Sequence, residues 1–284
     1  RMRALLGFAT VNTHSRDAMW RSDVVVNLMG VLVSLATGVA RLAEELQIWT
    51  TDEFDYVSLA DQHCRASVIM PNKKNPYALS FMRGQARELD GNLMSVIATN
   101  QTPSGQIDNR NTSYDLLPRG LAAVSGLVRL LREVLLGMTV NVERLQAQAR
   151  RGFTYGTELA DLLVLRERVD ARAAHEIVGA TISAQLKTPP PRFAAALAAA
   201  FQSAAGRPLS ADPDELWREI QPERVVACRQ GIGSCAPDTV RQMAAELRAA
   251  ADAETAAVAA AEQSAEFPAR LRRAVAQRLG RAWP

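Results

Sequence analysis

VVVNLMGVLVSLATGVA, from Val24 to Ala40, runs for 17 residues without a charge. That length sits at the lower limit for a membrane-spanning helix. The run nevertheless carries Asn27, Ser34 and Thr37, and it passes without a break into Arg41-Leu42-Ala43-Glu44-Glu45-Leu46 in the same helical register. An apolar helix that continues into charged residues in this way reads as the central, buried helix of a soluble bundle. The pattern predicts one long helix over 15–48, opened near Ser15 or Asp17 and closed by the turn Thr50-Thr51-Asp52. No membrane partner is expected.

The composition agrees. In 284 residues, 33 Lys and Arg stand against 30 Asp and Glu, and the net charge of +3 gives no nucleic-acid footprint. Hydrophobic residues make up 48% in long Ala, Leu and Val stretches, which excludes wholesale disorder and suffices for about two helical domains. Cys64, Cys228 and Cys235 have no close spacing. Neither a disulfide framework nor a zinc ribbon is supported, and a reducing, cytoplasmic home fits. The chain opens with Arg1-Met2-Arg3-Ala4-Leu5-Leu6 as if part-way along a helix, which reads as a processed product or a fragment.

Outward from the apolar run, residues 51–75 are polar and irregular, and a loop of that length is uncommon unless it has a function. At Asn75-Pro76 a helix is expected to begin, with Asn75 as its N-cap and Pro76 in its first turn. Leu79, Met82, Ala86, Leu89, Leu93 and Ile97 then recur at spacings of three and four, to about residue 99. A polar interval over 100–111 is followed by a third long helix from Leu116 to about Leu136 and a shorter one over 140–149. Beyond Arg150-Arg151-Gly152, shorter helices are predicted at about 156–166, 170–186, 190–204, 212–219 and 237–251. Pro189-Pro190-Pro191, Gly206-Arg207-Pro208 and Gly231-Ile232-Gly233 separate some of them. No alternating β-branched run competes. The expected fold is all-α: a long central bundle over 1–150, a smaller C-terminal helical domain over 151–251, and a helical tail over 252–284. The basic end of that tail reads as a terminal helix packing Leu271, Val275 and Leu279 on a neighbour.

Ser67-Val68-Ile69-Met70-Pro71-Asn72-Lys73-Lys74-Asn75-Pro76 offers a hydroxyl, two ammonium groups, two amides and a helix N-terminus within ten residues. Helix-end amides favour anions, and a Lys beside them adds full positive charge, so a carboxylate or phosphate suits the place. A Ser beside bound carboxylate suits removal of the neighbouring proton, because the Lys and the helix end stabilise the doubly charged intermediate. A hydroxyl is a poor base, so Ser67 must act as an alkoxide held by nearby cations and amides. The same residues also suit a solvated loop that merely caps a helix, and composition does not decide between the two.

SVIMPNKKNP closely resembles the signature loop of the fumarase/aspartase superfamily, G-S-S-x-M-P-x-K-x-N-P, and the doubled Lys resembles its argininosuccinate lyase branch. Ser15-Arg16-Asp17-Ala18, Arg41 to Trp49, Thr139-Val140-Asn141-Val142, Gly152-Phe153-Thr154 and Ala174 to Gly179 extend the resemblance over about residues 1–250. It implies β-elimination from an N-substituted aspartate of the argininosuccinate type, releasing fumarate and an amine or guanidine. It also implies homotetramers whose active sites combine loops from three subunits. Carried over position by position, Ser67 is the base that takes the Cβ proton. Lys73 and Asn75 bind and polarise a substrate carboxylate. No metal or organic cofactor is required.

Several positions depart from the pattern. The loop's Gly is Ala66 and its second Ser is Val68, and Trp20-Arg21-Ser22-Asp23 stands where S-D-R-D is usual. Ser104 to Thr112 lacks the Tyr, Gln and Lys contacts of the related A-Y-N-R-D-L-Q-E-D-K-E-P loop. A changed leaving-group pocket follows, with Gln106 and Arg110 as candidate contacts and ethylenediamine disuccinate as an alternative substrate. The family's general acid His lies before residue 1 by this resemblance, in a missing N-terminal segment or on a partner chain. A non-catalytic structural homologue or inactive fragment is the reading of another class. His14 is expected at a helix cap, His63 on the surface, and His175 in a structural role.

Overall fold

The computed structural model describes the chain outside residues 1–2, 4–7, 9, 71–72, 102–107, 112, 187–191, 265–266 and 281–284. The side chains at 109–110, 261–264, 267–268 and 270 also lie outside the description. Two compact units divide it, one over Phe8–Leu145 and one formed in the main by the residues from Gln146 onward.

The first unit contains α1 (Ser15–Trp20), α2 (Asp23–Trp49), α3 (Tyr77–Thr99), the short α4 (Asp108–Asn111) and α5 (Leu116–Gly137). Met29, Leu32, Ala36, Val39, Ala43 and Leu46 of α2 recur at alternating steps of three and four and are buried. That heptad-like seam meets Leu79, Met82, Ala86 and Leu89 of α3 and Val124, Leu127 and Val134 of α5 in one core. Each fully buried Leu or Met contributes about 1.5–3 kcal/mol, against at most about 1 kcal/mol for an exposed ion pair, so the apolar seam holds this bundle. Gly120 lets α5 approach closely: a Cβ there would lie 3.3 Å from both Leu32 Cδ1 and Met29 Sδ.

Two details differ from the expected long helix. It is broken at Arg21, whose ψ of 119° leaves the helical region, and the Arg21 guanidinium grips the Asp23 carboxylate at 2.9 Å across the break. The opposite face of α2 is uncovered, with Val24, Leu28, Val31 and Leu35 at 45–57% exposure, so the run is buried on one side only. His14 caps α1 as expected, its Nδ1 accepting the Asp17 N–H at 3.1 Å.

After α2 the chain forms β1 (Val57–Ser58), a 3-10 turn (Asp61–His63), β2 (Arg65–Ala66) and β3 (Lys74–Asn75). β1 pairs antiparallel with β4 (Thr139–Val140), and β2 pairs antiparallel with β3. The Arg144 side chain donates to the carbonyls of Glu53 and Phe54, tying the start of α6 (Val142–Arg151) to the turn after α2.

The second unit holds α7 (Gly156–Glu167), α8 (Ala171–Gln185), α9 (Phe193–Ala205), α10 (Pro213–Glu219), α11 (Pro222–Cys228), α12 (Pro237–Ser264) and α13 (Phe267–Leu279). Its core joins Leu159, Leu163, Ile177, Leu197, Phe201 and Leu216. Glu167 is buried at the end of α7, where it accepts from Arg207, from the Ser210 hydroxyl and from the Ser210 and Ala211 N–H groups. Two helices depart from the sequence reading. α11 was not foreseen, and α12 continues past 251 to Ser264 because its Ala-rich sequence carries no breaker there.

Candidate active site

The ladder between β2 and β3 sets Arg65 opposite Asn75 and Ala66 opposite Lys74. Just inside it, the Ser67 N–H donates to the Lys73 carbonyl at 3.2 Å, and the Lys73 N–H donates to the Met70 carbonyl at 3.0 Å. The Met70 N–H in turn donates to Ser67 Oγ at 3.0 Å. These bonds join Ser67, Met70 and Lys73 within the curled loop, and a backbone amide is already aimed at the Ser67 hydroxyl oxygen. Such a donor favours an alkoxide over a neutral hydroxyl.

A cavity of about 700 Å³ lies beside the loop. Gln47, Thr50, Thr51, Asp52 and Glu53, from the end of α2 and the turn after it, line one part, and Met70, Lys73, Lys74, Asn75 and Pro76 line the other. Lys73 and Asn75 therefore reach one cavity, whereas Ser67 joins them through the loop's own hydrogen bonds. The two lysines are not equivalent. Lys74 forms an ion pair with Asp61, whose carboxylate raises the ammonium pKa above its ordinary value through hydrogen bonding and charge. Lys73 forms no ion pair among the described residues.

Asn75 does not cap the following helix as expected. It is held in β3 opposite Arg65, with its amide 3.5 Å from the Arg65 carbonyl, and Pro76 takes the cap position of α3. Pro76 brings no side-chain acceptor, so the first-turn amides of α3 are left uncapped by any side chain at that position. The Arg65 guanidinium stacks on the Tyr77 ring, 3.3 Å from its centroid, and fastens the ladder to the start of α3.

Of the other candidates, Gln106 lies outside the described residues, and Arg110 belongs to α4 with its side chain outside the description. His63 is not at the surface: it is 8% exposed, and its Nε2 lies 3.7 Å from where a Cβ on Gly137 would be. His175 is exposed on α8. The Cys64 thiol is pushed up by burial, which lowers its thiolate fraction and its reactivity. Asp61 was missed as a partner of the loop. Its signal was a lone carboxylate thirteen residues before a doubled Lys, too remote in sequence to pair by any local rule.

Comparison with known proteins fits this geometry. A protein family described as Lyase matches residues 2–91, the segment containing α2, the loop and most of α3. Argininosuccinate lyase 1 of Pseudomonas fluorescens (strain Pf0-1) is 33% identical over 261 residues, covering 88% of this chain and 51% of its own length. The argininosuccinate lyase of Methanoculleus marisnigri (strain ATCC 35101 / DSM 1498 / JR1) is 34% identical over 249 residues, covering 86% and 50%. The chain is thus similar to the argininosuccinate lyases of the fumarase/aspartase superfamily over most of its length, and it spans about half the length of the curated relatives it matches. A crystal structure of EDDS lyase in complex with formate superposes with a TM-score of 0.84 at 26% identity, covering 96% of this chain and 56% of that one. The superfamily's all-α fold is thus reproduced here.

Proposed function

We propose that this protein catalyses β-elimination from an N-substituted aspartate of the argininosuccinate type. Ser67 takes the Cβ proton, the C–H electrons form the C=C bond of fumarate, and the C–N bond breaks to release an amine or guanidine. Lys73 and Asn75 hold a carboxylate and stabilise the carbanionic intermediate, while a general acid gives a proton to the leaving nitrogen. The observation that carries this reading is the Met70 N–H donated to Ser67 Oγ in the same curled loop as Lys73, which forms no ion pair among the described residues. Likeness to EDDS lyase supports a second substrate of the same chemistry, ethylenediamine disuccinate.

The working form is a cytoplasmic homotetramer with sites shared between subunits. The uncovered α2 face of Val24, Leu28, Val31 and Leu35, at steps of four, three and four, supports helix packing against further copies. Gln106 and Arg110 remain the proposed leaving-group contacts. Fumarate release from argininosuccinate and from ethylenediamine disuccinate, followed by ultraviolet absorbance, tests the activity. Ser67→Ala should lower turnover about 100- to 10,000-fold with helical content intact. Wild-type turnover in that variant would remove Ser67 from its role, and no fumarate from either compound would overturn the reading.

A further inference from the structure

The doubled lysine poses a problem of charge. Lys73 and Lys74 both line the cavity, yet the signature resemblance gives a role only to the position of Lys73. Asp61 does not line the cavity, and it takes the Lys74 ammonium into an ion pair. Lys73 lies just before β3, and the ion pair of Asp61 is with Lys74 alone among the described residues. The ladder itself has other supports: its backbone register, and the stacking of Arg65 on Tyr77. With the two partners 67% and 83% exposed, the ion pair adds little to folding. Its consequence is where the second positive charge goes.

We propose that Asp61 is a positioning residue that partitions the doubled lysine, engaging the Lys74 ammonium with a carboxylate that does not line the cavity and leaving Lys73 as the lysine cation offered to the substrate carboxylate. This rests on the reading of the loop as an active site. With both ammonium groups in one cavity, a dicarboxylate would be over-bound and the product would leave slowly. Asp61 thus sets the charge of the site through a residue that does not touch the substrate.

Two measurements on the full chain test it. The first is competitive acylation by an N-hydroxysuccinimide ester, with Lys73 and Lys74 distinguished by fragment ions in mass spectrometry. In the wild type Lys73 should label faster than Lys74 by about two- to fivefold, the range an exposed ion pair produces. Asp61→Asn should equalise the two, and Asp61→Glu, which keeps a carboxylate, should preserve the difference. Equal labelling in the wild type overturns the proposal. The second is fumarate binding by calorimetry. Asp61→Asn should tighten it about two- to fivefold, and adding Lys74→Met should return it to the wild-type value. A merely structural role predicts weaker binding with no rescue, and that result also overturns the proposal. If the wild type neither binds nor releases fumarate, the proposed function fails, while the labelling ratio still decides how the lysines are divided.

Discussion

Asp61 and Glu167 each meet a basic side chain, one in each compact unit, under opposite conditions. Asp61 stands 83% exposed beside Lys74 at 67%, whereas the Glu167 side chain is wholly buried beside Arg207 at 45%. Water screens the first pair, so it directs a charge without holding the fold. The second carboxylate is out of water, and its donors from Arg207, Ser210 and Ala211 replace the lost hydration. One is an adjustable contact at the edge of chemistry, and the other is a fastening between the end of α7 and the 207–211 segment.

Breaking the buried contact should have the largest effect on stability. Glu167→Ala removes the acceptor of several donors at once and should destabilise its unit by about 3–5 kcal/mol, measured as faster hydrogen exchange at the Ser210 and Ala211 amides. Acid should act at the same place. Burial alone would raise the Glu167 pKa, but Arg207, the Ala211 N–H and the Ser210 donors overcome it, so the carboxyl lies below its ordinary 4.5. A depressed carboxylate gives stability that is present above its unfolded pKa and lost as pH falls through the folded value. The second unit should therefore weaken below about pH 4.5, and Glu167→Gln should flatten that part of a pH-dependent unfolding curve.

Smaller effects belong to the exposed side. Arg65→Ala removes the stacking on Tyr77 and should cost about 0.5–1 kcal/mol in chemical denaturation of the first unit. Asp61→Asn should leave the melting temperature unchanged while altering lysine reactivity. A drop in melting temperature as large as that of Glu167→Ala would erase the distinction between the two carboxylates.

Much of this was legible before any coordinates. The three-and-four spacing from Leu79 to Leu93 fixed the course of α3, and Leu116 onward that of α5, because their apolar stripes match one helical face. Other features depend on tertiary partners that no local pattern reveals. The break at Arg21 follows from backbone geometry that spacing does not encode. Asn75 reads as a helix cap until Arg65, ten residues away, draws it into a ladder. His63 reads as a surface residue until the end of α5, with Gly137 distant in sequence, packs beside its ring. In the candidate site, Ser67, Lys73 and Asn75 were visible as chemistry in one short segment. The capture of Lys74 by Asp61 was not, since an ion pair between the 3-10 turn and β3 requires the fold first.

The donor that meets Ser67 Oγ is the main-chain amide of Met70, not a side chain. Replacing Met70 by alanine would leave that amide in place, so a conventional alanine scan would pass over the donor to the oxygen proposed as the base. Its contribution becomes measurable only when the amide itself is altered, by an ester in the backbone or by proline at position 70. The chemistry of this loop is thus partly written in its curvature, where side-chain variation cannot easily reach it.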